Sequence, residues 1–530
     1  MKILISDDLS PESKEILERI PGAKVDFKVG LKPAELKAII GEYDALAVRS
    51  ATKVTADVLA AAGKLKVIGR AGTGVDNIDL TAATRRGVVV MNAPGGNSVS
   101  VAEHTLALLL ALARSVADAS QSTRGGKWEK KKYSAGRELL GKTLGVVGTG
   151  NIGALVVQRA AAFGMRVVGY DPFLTPEAAE KLGVELVSLD DLFKRADAVT
   201  LHVPLTEQTK NMIDAARLAT MKKGALIVNC ARGGLIDEKA LAEALKAKQI
   251  GGAALDVFDQ EPPPPDHPLF ACENFIATPH LGGSTEDAQQ SVAVIVCEAM
   301  VEYLTTGTIR NAVNVPSVSG EVLQRLGPFL KLGQKLGSLA AQLSLQGEGA
   351  PEGLEIAYEG EIAAQPTSPI TAAVLKGVLG TFMAEPVNEV SAPALAKERG
   401  LHVREVKTSE SPDFASLVSV RLKSGRSIEV AGTIVGKREP RLVRVDGFEL
   451  EAVPDGAVIV LNNADEPGVI GNVGLTLGAA RVNIAQFALA RRAATREALA
   501  LVNVDSPASP DTLEKLRKLP HVKSVRQVVL

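Results

Sequence analysis

The chain has 530 residues, 46% hydrophobic and 23% charged, which fits a multidomain globular protein with a large core. A net charge of −1 and only 3% aromatic residues argue against a nucleic-acid surface and a polybasic membrane attachment. Three scattered cysteines, Cys230, Cys272 and Cys297, without a CxxC pair, count against a disulfide framework or zinc site, and no metal is expected.

Residues 1–98 read as alternating strands and helices, hence a mostly parallel sheet. Apolar runs at 2–6, 45–49, 65–70 and 88–92 are the expected strands, and 11–20 has helical spacing. Ligands gather at the C-terminal ends of such strands, where Arg49, Arg70, Gly72, Gly74 and Asn97 stand. A helix is expected over 98–115, with Ser98 as its N-cap. Its apolar stretch 105–113 is too short to span a bilayer. A basic loop with Lys130, Lys131 and Lys132 follows. The opening MKILISDDLS has no apolar signal core, and the cysteine usage implies a reducing compartment, so the expected location is the cytoplasm.

Residues 143–171 read TLGVVGTGNIGALVVQRAAAFGMRVVGYD: strand, tight turn, helix, strand, acid. Gly148 permits the turn, Gly150 lets the backbone approach a pyrophosphate, and Gly153 lets helix and strand pack closely. Asn151 and Ile152 open the helix, whose N-terminus favours phosphates. Asp171 can accept from a ribose diol and repels a 2′-phosphate, so NAD is the expected cofactor. A purely structural turn would leave that acid unexplained.

Further strand runs at 198–202, 225–229, 253–257 and 275–278 complete a doubly wound unit. His202, at one strand end, reads as structural. A helix over 285–304 leads back to the first sheet, so that first unit is discontinuous. VPSVSG is a linker. A helix over 322–345 then opens a segment to 452 that turns to strands. It carries Lys437, Arg438, Arg441 and Arg444, either an anion site or a solvated hairpin. The stretch 457–530 alternates strand, helix, strand, strand, helix, strand. The expected divisions are 1–98, 99–287, 288–316, 317–452 and 453–530.

Three strand-end residues carry chemistry together. Arg232, in VNCARGG, can fork onto a carboxylate. His280, in TPHLGG, titrates in the range of a base that takes a hydroxyl proton as hydride leaves carbon. A carboxylate beside it, Glu261 in DQEPP, would orient the imidazole and stabilise its charged form.

GRAGTGVDNID, GVVGTGNIG, VNCARGGLID, ALDVFDQEPP and TPHLGGST resemble, in order, the motifs of the D-2-hydroxyacid dehydrogenase family over residues 1–315. The resemblance implies an α/β fold: a Rossmann-type nucleotide-binding domain inserted in a flavodoxin-like substrate domain. An α+β intervening domain and a ferredoxin-like ACT domain follow, as in the family's long form. It implies catalytic roles for Arg232, Glu261 and His280. It implies NAD contacts at Thr73, Gly148, Gly150, Asn151, Ile152, Gly153, Asp171, Cys230, Ala231, Asp256, Gly282 and Gly283. For a phosphorylated 2-hydroxy acid it implies Arg49, Arg70, Gly72, Gly74 and Asn97. Lys130, Lys131 and Lys132 fit the same set, reaching across from a neighbouring subunit, or are simply a solvated face. The tail, around LNNADEPGVI and VNIA, resembles an ACT domain, which implies effector contacts to L-serine by Asn463, Asp465 and Asn483 in a homotetramer. Such a module can also serve assembly alone. Two readings stay open beside oxidation of a phosphorylated acid: a glyoxylate or hydroxypyruvate reductase, and a non-enzymatic NAD sensor.

Overall fold

The computed structural model describes residues 1–344, 351–436 and 438–530. The first sheet has five parallel strands, in the order Lys24–Phe27, Lys2–Ile5, Ala45–Val48, Val67–Arg70 and Val89–Met91. That 2-1-3-4-5 order is flavodoxin-like. The inner strands are apolar on both faces because each face carries a core, whereas the edge strand Lys24–Phe27 is exposed or half-buried. Leu4, Leu46 and Ile68 pack toward the helices Pro33–Ile39 and Ala56–Ala61. Ile3, Ala45 and Val67 pack toward Glu12–Glu18 and the late helix Glu286–Thr306.

That late helix makes the first unit discontinuous, as expected. Thr285 caps it by accepting from the Ala288 N–H. Val292, Val296 and Met300 on it are buried in the first sheet's core. The chain then bridges Ala312 to Met91 and Val318 to Ile309. VPSVSG is therefore not a free linker: Val318 is folded back and buried.

The second sheet has seven parallel strands: Phe275–Ala277, Ile250–Leu255, Ala225–Asn229, Ala198–Leu201, Thr143–Val147, Arg166–Tyr170 and Glu185–Leu186. Counted from Thr143–Val147 this is the Rossmann order 3-2-1-4-5-6 with one strand added. The order reverses between Thr143–Val147 and Ala198–Leu201, and the glycine turn sits at that switch point. The helices Ser98–Ala113 and Asn151–Ala162 cover one face. Ser98 is not the cap expected for it. The cap position is Asn97, without a side-chain capping bond, because its Oδ1 instead accepts from Thr73 Oγ1 at 2.7 Å. Among the described residues no single helix is long and apolar enough to cross a membrane.

The next sheet has six strands, ordered His402–Thr408, Gly353–Gly360, Ser416–Ser424, Arg426–Val435, Glu439–Val445 and Phe448–Ala452. The helices Gly320–Ser344 and Ser368–Phe382 cover one face. They touch backbone to backbone: a Cβ on Gly377 would lie 2.1 Å from the Gln334 carbonyl oxygen. Ser368–Phe382 and Ala392–Glu398 correct the expectation of strands alone. The former is buried on most sides, so no helical period marks it in the sequence.

Last comes an antiparallel sheet ordered Ile484–Arg492, Glu497–Val504, Ala457–Ala464 and Val522–Val529. Val469–Ala479 and Pro510–Arg517 pack on one face, giving the expected ferredoxin-like pattern. Its other face, with Val458, Val460, Leu499 and Leu501, joins the core of Gly320–Ser344 and the six-stranded sheet. The two C-terminal units thus share one core. They reach the first sheet through Asn388, whose Nδ2 donates to the Gly87 carbonyl at 2.8 Å, and through Val390, which enters that sheet's core.

Candidate active site

The glycine turn has the geometry its sequence implies. Gly148 has φ +87°, and a Cβ there would lie 2.5 Å from the His202 carbonyl oxygen. A Cβ on Gly153 would lie 2.0 Å from the Gly148 carbonyl oxygen, so only glycine allows this helix and turn to meet. Around Gly150 no atom lies within 4 Å of such a Cβ. The turn is thus tight behind and open in front, a cradle for a dinucleotide pyrophosphate at the start of Asn151–Ala162. Asp171 accepts from the Thr149 N–H and hydroxyl, both at 2.9 Å, and from the Phe173 N–H at 2.9 Å. Burial alone would raise this carboxyl, but these bonds hold it below the usual range. It stays ionised with acceptor capacity left for a ribose. The residues present fit NAD.

Across the cleft stand the arginines. Arg70 ends its strand and is largely buried. Burial, then the charges of Arg232 and Arg49, bring its pKa down to about 10, and its Nε has no partner. Gly72 makes room for it, since a Cβ there would overlap the Arg70 guanidinium. Gly74 does the same for Arg232, whose Nη2 would lie 2.1 Å from a Cβ. Arg232 springs from the nucleotide sheet, yet its Nε pairs with Asp76 of the first unit at 3.2 Å. Asn229, buried at its strand end, shapes that turn: it accepts from the Ala231 N–H and donates to the Arg232 carbonyl. Three arginine charges so converge from two sheets; Asp76 offsets them at Arg232, and the Asp7 charge acts on Arg70. The Asp7 carboxylate nearby is taken by the Arg49 and Thr52 N–H groups and the Thr52 hydroxyl. Asn97 joins through Thr73, whose carbonyl also accepts from Asn92 at 2.6 Å.

Glu261 and His280 meet directly, Oε2 to Nδ1 at 2.8 Å. His280 has φ +55°, in the left-handed region, and its N–H donates to the carbonyls of Asp256 and Thr278. The Glu261 hydrogen bond raises the His280 pKa against the opposing effect of burial. For Glu261, burial pushes upward, but the His280 bond and charge win and its pKa falls. An ionised carboxylate only accepts, so His280 carries its proton on Nδ1 and offers a lone pair at Nε2. A cavity of about 410 Å³ opens beside the pair, lined by Phe258, Pro262, Pro263 and Phe270 among others.

Asp256 is a buried tie. Its carboxylate accepts from Thr278 Oγ1 at 2.6 Å and from the N–H groups of Leu281 and Gly282 at 2.8 Å, with His104 at 3.3 Å. Burial is opposed by these bonds, which keep it ionised. Gly282 also accepts at its carbonyl from Ser100, and Gly283 faces the Asn97 side chain. Cys230 is buried, with its thiol pushed up to about 12 by burial. His202, with Nε2 3.0 Å from Thr200 Oγ1, is driven down to about 4 by burial and is a neutral core residue. Asp7, Asp76, His104, Asn229 and Thr278 escaped the sequence reading. Asp76, Asn229 and Thr278 stood inside the motifs; Asp7 and His104 depend on tertiary contact.

Other expected site residues lie elsewhere. Lys130, Lys131 and Lys132 are exposed, and Lys132 faces Glu129, Glu273 and the Tyr133 ring. Within one chain they join none of the arginines. Lys437 lies outside the described residues. Arg441 pairs with Glu439 and Glu451, and Arg444 with Glu429 at 3.8 Å. Arg444 in fact belongs to a row of alternating charge across the sheet: Arg404, Glu355, Arg421, Glu429, Arg444, Glu449. The hairpin therefore offers far less free positive charge than its sequence implies. In the tail, Asp465 accepts from Arg491 Nε at 2.7 Å, and the buried Asn463 Oδ1 lacks a partner. Asn483 sits at the opposite end of the sheet, beside the pairing of Ile484 with Val504, and donates to Asp505 at 2.7 Å. One copy does not assemble these three.

Residues 106–282 match the family described as D-isomer specific 2-hydroxyacid dehydrogenase, NAD binding domain. Residues 325–446 match the D-3-phosphoglycerate dehydrogenase intervening domain. The chain is 44% identical to the D-3-phosphoglycerate dehydrogenase of Methanocaldococcus jannaschii, with 100% of each covered. Among solved structures, the TT0316 protein from Thermus thermophilus is 39% identical with a TM-score of 0.54, covering 59% of this chain and 100% of that one. An NAD-dependent formate dehydrogenase from Staphylococcus aureus in complex with NAD is 31% identical with a TM-score of 0.53, covering 60% and 100%.

Proposed function

The chain belongs to the D-3-phosphoglycerate dehydrogenase family, and from that premise we propose that its cleft oxidises D-3-phosphoglycerate to 3-phosphohydroxypyruvate, the opening reaction of L-serine formation. The cofactor is NAD, held by the turn Gly148–Gly153, by Asp171 and by the loops around Thr73, Cys230, Ala231 and Gly282. When bound it supplies the hydride acceptor. His280 Nε2 takes the C2 hydroxyl proton while the hydride leaves C2, so one proton and one electron pair depart and a ketone remains. Glu261 fixes the imidazole tautomer and stabilises the imidazolium that forms. Arg232 grips the substrate carboxylate and polarises the oxygen at C2.

The observation that carries the substrate assignment is the convergence of Arg49, Arg70 and Arg232, with a buried Arg70 nitrogen left unpartnered. A three-carbon acid bearing both carboxylate and phosphate matches that excess of positive charge. The division into 1–98 with 288–316, 99–287, 317–452 and 453–530 belongs to the same proposal, as does a cytoplasmic location, supported by three free cysteines. L-Serine is the proposed effector. Asp465 and Asn483 lie at opposite ends of their sheet, so a site for the amino acid would form where two copies pair, one giving Asn463 and Asp465, the other Asn483. A homotetramer supplies such pairs. The deciding assay follows NADH formation with D-3-phosphoglycerate and with D-glycerate. Turnover of D-glycerate alone would sink the assignment.

A further inference from the structure

The loop that carries Glu261 is tied down by a second acid–histidine pair. Glu238 is the first residue of the helix Glu238–Lys246, just past its cap Asp237. Its Oε1 accepts from the Asp259 N–H at 2.8 Å, and its Oε2 meets His267 Nε2 at 2.9 Å. Those two contacts flank Glu261 in the chain. Both side chains are nearly buried, 11% and 9% exposed. His267 Nδ1 accepts from the Leu269 N–H at 3.4 Å, so Nε2 carries the proton and donates to Glu238. The His267 ring also packs edge-on against Phe258, with centroids 5.6 Å apart. The Phe258 N–H donates to Glu261 Oε1 at 3.1 Å, which leaves Oε2 for His280. The Arg232 turn leans on this loop as well: a Cβ on Gly233 would lie 2.0 Å from the Phe258 carbonyl oxygen.

We infer that Glu238 and His267 are positioning residues for the reaction, clamping both ends of the loop 259–267 so that Glu261 reaches His280. One carboxylate on a rigid helix closes the loop at two points. A surface ion pair would add little, but this pair is buried with its atoms matched. Losing one partner leaves the other buried and unsatisfied, so the loop must open to hydrate it. Glu261 would then swing off His280 without any change to the residues that meet substrate. The inference rests on the reading of Glu261 and His280 as the reacting pair.

The test compares Glu238→Gln, His267→Ala and His267→Gln in the full-length enzyme, with His280→Ala as reference and melting curves to confirm folding. Glu238→Gln turns an amide N–H against the His267 donor. It should lower kcat by about 10–100-fold, with NADH affinity by fluorescence unchanged. Around His280 stand Glu261, Asp256 and Arg232. Only Glu261 is released, so the acid limb of kcat/KM should move to lower pH. His267→Gln keeps a donor at the Nε2 position and should restore most of the activity that His267→Ala loses. An acid limb that stays in place, or a His267→Gln no better than His267→Ala, overturns the clamp. Full turnover in His280→Ala would instead overturn the reading of the reacting pair.

Discussion

Alanine at Gly150 and at Gly153 should separate cofactor binding from folding within a single turn. A Cβ on Gly153 would lie 2.0 Å from the Gly148 carbonyl oxygen. Relief to ordinary contact at about 3.4 Å pushes the helix Asn151–Ala162 off the turn by about 1.4 Å, an overpacking strain of about 1–3 kcal/mol. At roughly 2–4 °C per kcal/mol for a domain of this size, the melting temperature should fall by several degrees. Gly150 has no neighbour within 4 Å and an extended backbone, φ −65° and ψ −156°, that alanine adopts freely. There the fold should lose only the preference of a cap position for glycine over alanine, roughly 0.5–1 kcal/mol. The added methyl instead fills the space a pyrophosphate must enter. Each charge-assisted hydrogen bond lost from the helix N-terminus costs about 1.5–3 kcal/mol, so NADH should bind about 10–100-fold more weakly. Melting curves and NADH fluorescence titrations read both effects. Wild-type NADH affinity in Gly150→Ala would refute the cradle, and an unchanged melting temperature in Gly153→Ala would refute the packing argument.

Glu261→Gln should cut kcat by about 100-fold and move the acid limb of kcat/KM to lower pH, because the Glu261 bond and charge are what raise the His280 pKa. The sign for stability follows from both shifts. The raised His280 stabilises fully below its unfolded pKa and loses this as pH rises through the folded value. The lowered Glu261 stabilises fully above its unfolded pKa and loses this as pH falls through the folded value. The pair therefore supports the fold fully between those limits, so the variant's melting temperature should drop there and its pH profile should flatten at both edges. Arg70→Met should raise KM for D-3-phosphoglycerate about 10–100-fold while KM for NAD holds, and an unmoved substrate KM would remove Arg70 from the anion site. Asp465→Ala and Asn483→Ala should each abolish serine inhibition. Subunits of the two variants, exchanged into mixed oligomers, should regain it at the one intact junction; failure to regain it would refute a site shared between copies.

The sequence made the alternating strands, the glycine turn and the three strand-end residues legible because each is a local pattern. The roles of Gly148, Gly150 and Gly153 follow from spacing alone. What escaped it depends on partners remote in the chain. Arg441 and Arg444 read as a free basic cluster, but neighbouring strands deliver Glu451 and Glu429 to them, and Glu439 joins Arg441 from its own strand. Asn463, Asp465 and Asn483 are close in sequence, yet strand direction sends Asn483 to the far end of the sheet. Ser98 has the right chemistry for a cap, but Asn97 takes the position because its own side chain is drawn to Thr73. Ser368–Phe382 lacks a polar face, so periodicity gave no sign of it.

The core shared by the last two sheets has a consequence for how such a chain changes over generations. A stop codon after residue 452 would take Val458, Val460, Leu499 and Leu501 out of that core and leave the apolar residues packed on them as a raw face. A stop after residue 316 removes that core whole and breaks a smaller set of contacts: Asn388 on Gly87, Val390 in the first sheet's core and Val318 on Ile309. Solved structures that align over their whole length with only 59% of this chain are consistent with an excision of that second kind. Expression of the two truncations should show the difference, with the 452-residue form aggregating and the 316-residue form staying in solution. The last two units share one core and so stand or fall as one block.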